Sequence, residues 1–114
     1  MLKDPALSKQ AYKLIGNPEN RVCVSSISLW EVNTKRQLGK LDIDGDIVAA
    51  SISRGIEFAS FGVAHASEIL ALPLHHRDPF DRALLAQARS EGARLVTADN
   101  AMRRYAEQVD VCIV

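Results

Sequence analysis

The sequence predicts an α/β domain built on a parallel sheet with helices on both faces. Short apolar runs of strand length alternate with longer stretches of helical periodicity, an order that argues crossover connections between parallel strands. The helices are also marked chemically, by capping residues at their starts and by glycine or proline past their ends. A length of 114 residues, 47% of them hydrophobic, suffices for one domain over 1–114 with a real core.

The elements follow in order. Asp4-Pro5 is a cap-then-proline start, and Leu7, Ala11, Leu14 and Ile15 share one face, so a helix is predicted from Pro5 to Ile15. Gly16-Asn17-Pro18 ends it. Arg21 to Ser25 reads as a buried strand. The next helix starts between Ser26 and Ser28, where Ser28-x-x-Glu31 matches a capping box, and it stops at Gly39. Leu41 to Gly45 is a loop, and Asp46 to Arg54 a helix stopped by Gly55. Ile56 to Phe61 alternates as a strand does, and Val63 to Leu72 is a helix closed by Pro73.

The segment from Arg77 to Asp99 is the organising one. Asp78 caps a helix whose first residue is Pro79, and Gly92 stands where a left-handed C-cap belongs. Asp81, Leu84, Leu85 and Ala88 share one face of that helix. Leu95 to Ala98 is then a short strand ending at Asp99. Asn100 to Gln108 is a short helix, and Val111 to Val114 a last strand.

Composition removes several classes of function. Lysine plus arginine equals aspartate plus glutamate, 14 each, so no overall basic surface announces a nucleic-acid partner, although a local basic rim remains compatible. No apolar run approaches the ~18–20 residues needed to span a bilayer. The opening MLKDPALSKQ is charged and lacks an apolar stretch, so it does not read as a secretory signal. A cytoplasmic location is the expectation. Cys23 and Cys112 fall in apolar runs and read as buried, reduced thiols. There is no GxxxxGK[ST], GxGxxG or GxSxG motif. His75-His76, with no cysteine nearby, does not make a zinc set.

Three acids stand out. Glu31 lies on a mostly apolar stripe with Ile27, Thr34 and Leu38, where an unpartnered carboxylate is costly, although the capping box with Ser28 explains it without function. Asp81 sits in the first turn of its helix, where the dipole favours an acid, yet it shares a stripe with leucines. Asp99 closes a strand and is also placed to cap the next helix. In a parallel α/β sheet, helix starts and strand ends can share the ligand-binding edge. Acids gathered there repel unless a cation joins them, and oxygen ligands select a hard ion, Mg²⁺ or Mn²⁺. Arg77, Arg82, Arg103 and Arg104 flank the later acids, and some of them are available to grip phosphate.

SLWEVNTKRQLGKL, LPLHHRDPFDRALLAQA and LVTAD, in this order and spacing, resemble the PIN-domain ribonucleases of the VapC toxin type, from Asp4 to Val114. The resemblance implies a three-layer PIN-like α/β fold with a parallel sheet and an Mg²⁺- or Mn²⁺-dependent endoribonuclease. It further implies a homodimer and silencing by a small antitoxin protein. It assigns Glu31, Asp81 and Asp99 to holding the metal and, through it, the attacking water, and Arg82 to the place beside the site; Arg77 and His76 read from their positions alone as groups near substrate. Family members usually open with a strand carrying a further acid, in a segment like LLDTHxLLW. Met1-Leu2-Lys3-Asp4 begins just after that point, so the resemblance implies an N-terminally truncated domain, without the central strand and first acid. Activity is accordingly expected to be weak or absent, and folding to need a swapped strand, pairing with another chain, or closure of the sheet over the gap. The alternative expectation is a non-catalytic PIN-like protein that sequesters an antitoxin or pairs with a complete paralogue.

Overall fold

A computed structural model describes residues 9–113, with side chains from Lys13. The predicted start at Asp4-Pro5 lies outside the described residues. The chain is mixed α/β with parallel strands and divides into two compact units, Met1–Ser60 and Phe61–Val114.

The first unit runs α1 (Lys9–Gly16), β1 (Cys23–Ser25), α2 (Ser26–Gln37), α3 (Ile47–Ile52), β2 (Glu57–Ala59). Strands β1 and β2 pair in parallel, with Val24 opposite Phe58, and α2 and α3 form the crossover. Ile27, Ser51 and Ile56 are buried. Helix α2 is capped by Ser25, whose hydroxyl accepts the Ile27 amide at 3.1 Å. That corrects the expected capping box. Ser28 already lies inside the helix, and Glu31 instead meets Lys35 one turn on, Oε2 to Nζ 2.7 Å. Helix α2 ends as expected, with Gly39 at φ +70° and the Lys40 amide returning to the Lys35 carbonyl at 2.9 Å. Asp46 caps α3 by accepting the Ala49 amide.

Cys23 is a second correction. It is exposed, because it opens β1 beside the exposed Glu57, whose carboxylate its thiol meets at 3.7 Å. Cys112 is half-buried, and both thiols are free of disulfides. Trp30, on α2, is also exposed.

The second unit runs α4 (Val63–Glu68), a 3-10 turn (Ile69–Ala71), α5 (Pro79–Glu91), β3 (Leu95–Thr97), a 3-10 segment (Asn100–Tyr105) and β4 (Val111–Ile113). Strands β3 and β4 pair in parallel, Leu95 opposite Val111. The predicted helix Val63–Leu72 tightens to 3-10 geometry over its last turn. Pro73 drives Leu72 into extended backbone, so the helix must finish before it. Glu68 to Arg89, at 3.0 Å, and His65 to Glu91, at 3.2 Å, tie α4 to α5.

The core gathers Leu72, Leu85, Ala86, Ala88, Met102, Tyr105 and Val109. The expected helix Asn100–Gln108 is a 3-10 segment ending at Tyr105, and its geometry serves this core. Residues three apart eclipse in a 3-10 helix, which aims both Met102 and Tyr105 inward, 1% and 0% exposed. Helix α5 is bounded as the sequence predicts. Asp78 caps it, Pro79 opens it, and Gly92 (φ +63°) closes it, with the Ala93 amide bonded to the Ala88 carbonyl at 2.9 Å. Among the described residues no helix is long and apolar enough to cross a membrane.

Candidate metal centre

The head of α5 brings a histidine and two carboxylates together. Asp78 is held by its capping role, Oδ1 accepting the Phe80 and Asp81 amides at 2.9 and 3.1 Å. Asp81 follows in the first helical turn, where partial positive charge from unpaired amides favours a carboxylate. His76 approaches from the irregular segment before the helix, its Nε2 2.7 Å from Asp81 Oδ2. One ligand atom from each of His76, Asp78 and Asp81 lies within 4.8 Å of the others. The two carboxylates are partly solvent-accessible.

This donor set fits a small divalent cation. Two carboxylates supply hard oxygen donors, and a carboxylate using one oxygen for a cap retains a second. A neighbouring imidazole bonded to one of them orients it, the usual arrangement around ion-holding carboxylates.

The predicted residues fall out as follows. Asp81 and His76 come together. Asp78, which the sequence marks as a cap, joins them while also capping. Asp99 does not belong to this group; it is exposed and caps the 3-10 segment, accepting the Ala101 amide at 2.9 Å. Glu31 lies on α2 of the first unit, half-buried and paired with Lys35. Arg77 is exposed beside His76 in sequence. Arg82 faces inward: Nη1 donates to the Pro73 carbonyl at 3.0 Å and to the Tyr105 hydroxyl at 3.3 Å, and Nη2 to the Ile69 carbonyl at 3.4 Å.

Tyr105 is the residue that sequence reasoning missed. Its hydroxyl accepts the His76 amide at 2.8 Å across 29 residues of chain. The grouping itself had a legible signal, the H-x-D-x-x-D spacing of His76, Asp78 and Asp81.

A family model described as PIN domain matches residues 1–108. No match is found among curated proteins.

Proposed function

The chain belongs to the PIN-domain family, and from that premise we propose that it is a divalent-metal-dependent endoribonuclease of the VapC toxin type. PIN domains are typically metal-dependent nucleases. The observation that carries the proposal for this chain is the grouping of His76, Asp78 and Asp81 at the head of α5, inside the matched region.

Asp81 and Asp78 would hold the cation through carboxylate oxygens, Mg²⁺ or Mn²⁺ on the chemistry of the donors. An ion held there supplies a bound water of lowered pKa and stabilises charge on a phosphodiester. His76 keeps the Asp81 carboxylate turned to one orientation. The proposal retains Glu31 and Asp99 as acids that act in the reaction, on the strength of the motif resemblance. Arg77 and Arg82 stay with His76 as the residues near substrate, Arg77 by its exposed charge and Arg82 by fixing the segment that carries His76. A cytoplasmic homodimer silenced by a small antitoxin protein completes the proposal.

The test is RNA cleavage in Mg²⁺ or Mn²⁺, comparing the chain with Asp81→Asn and Asp99→Asn. Loss in Asp81→Asn supports the reading. Equal cleavage by all three proteins would trace the activity to a contaminant. A second reading, a non-catalytic PIN-like protein that binds an antitoxin or a complete paralogue, is favoured by the engagement of Glu31 with Lys35 and of Asp99 with Ala101. Capture of a small protein partner by a chain that binds no divalent ion in calorimetry would decide for it.

A further inference from the structure

The segment between Leu72 and Asp78 has no helix or strand to fix it. His76 is nevertheless held against Asp81, and the means is a buried hub. The Tyr105 ring is fully buried among the core side chains. Its hydroxyl accepts the His76 amide at 2.8 Å and donates to the His76 carbonyl at 3.3 Å. It also accepts Arg82 Nη1 at 3.3 Å. A hydroxyl has one proton and two lone pairs, so these three bonds use its full capacity.

Arg82 extends the hub to the Pro73 and Ile69 carbonyls. The neighbouring His75 ring packs edge-on against Tyr105, centroids 5.3 Å apart. The main chain of residues 73 and 76 is thereby tied to two side chains from other elements. Fixing the His76 backbone leaves its imidazole 2.7 Å from Asp81 Oδ2. A carboxylate on a rigid helix can still rotate about its own side-chain bonds; a hydrogen bond from a fixed imidazole removes that freedom.

We propose that Tyr105 and Arg82 are positioning residues which, through His76, orient the Asp81 carboxylate for metal binding. This rests on the reading of Asp81 as a metal-holding acid. Their action on the carboxylate runs through His76.

The test uses the full chain and Mn²⁺ alone as the first probe. Tyr105→Phe keeps the ring in the core and removes the hydroxyl. The His76 amide then loses protection from hydrogen exchange, and Mn²⁺ affinity by calorimetry falls about 10-fold, the loss expected when a carboxylate ligand's orienting partner is released. RNA cleavage at saturating Mn²⁺ slows, with KM for RNA unchanged. His76→Ala weakens Mn²⁺ binding equally, and the double variant binds no more weakly than His76→Ala, because one path is being cut twice. If Tyr105→Phe does not fold, Arg82→Lys takes its place in the same cycle.

Additive losses overturn the proposal. So does wild-type Mn²⁺ affinity in Tyr105→Phe once His76 amide protection is gone, which would leave the hub a purely structural part. Asp81→Asn separates the two levels. Unchanged Mn²⁺ binding there removes the role of Asp81 and the positioning role with it. Loss there, with Tyr105→Phe unaffected, removes the positioning role alone.

Discussion

Asp78 accepts the backbone amide of Asp81 at 3.1 Å through the same oxygen that takes the Phe80 amide. Two acids three residues apart have thus divided their tasks. Asp78 caps the helix start with one oxygen and keeps its second for the proposed cation, and Asp81, in the first turn, meets His76 with its carboxylate.

That division predicts different phenotypes. Asp78→Ala lowers stability by about 1 kcal/mol in denaturant melts, the usual cost of a lost N-cap, and weakens divalent-ion binding as well. Asp78→Asn keeps the acceptor and loses a smaller part of this. Asp81→Asn shifts stability by no more than about 1 kcal/mol, the dipole contribution, yet abolishes RNA cleavage.

Glu31→Gln gives up an i,i+4 pair with Lys35 worth about 0.5 kcal/mol. Stability therefore stays close to wild type. Cleavage falls at least about 10-fold if Glu31 acts in the reaction, a loss of about 1.4 kcal/mol of transition-state stabilisation. Unaltered rates would leave Glu31 a helix-surface residue only.

Leu85 is 0% exposed at the centre of the second unit's core. Leu85→Ala costs about 2–5 kcal/mol through lost burial and the cavity left behind. Leu70, 94% exposed, is the matched control. Leu70→Ala changes stability by no more than about 0.5 kcal/mol. Chemical denaturation of both variants checks the contrast.

The Arg21 guanidinium, bonded to Glu57, lowers the Glu57 carboxyl pKa below its ordinary 4.5. The sign follows from linkage. Folding favours the ionised form, so the contribution is complete above pH 4.5 and disappears as pH falls through the lowered folded value. Thermal melts across this range show the loss, and Glu57→Gln flattens the dependence. Because the pair is exposed, added salt reduces the effect.

What the sequence made legible is what local chemistry determines. Helix α5 was bounded correctly at both ends because Asp78, Pro79 and Gly92 each act on backbone groups within a few residues. Asp46 and Gly39 worked for the same reason. The capping box expected at Ser28 and Glu31 does not form: Ser25, which reads as the end of a strand, takes the cap one turn earlier than that spacing suggests. Non-local contacts left no trace in any window. The Tyr105–His76 bond spans 29 residues, and the exposure of Cys23 depends on what lies beside β1. The three acids were legible as candidates by type and position. Only Asp81 is described within a close metal-capable group, and that group draws in Asp78 and His76 rather than Asp99.

The chain's only tryptophan, Trp30, belongs to the first unit and is exposed, whereas Tyr105 is sealed in the second. Each half of the molecule consequently carries its own optical reporter. Indole emission follows the first half, and near-ultraviolet tyrosine dichroism follows the second once Tyr12 of the first half is replaced by Phe. Coincident curves would mean that the halves unfold as a single cooperative body, and separated curves that each has a melting transition of its own.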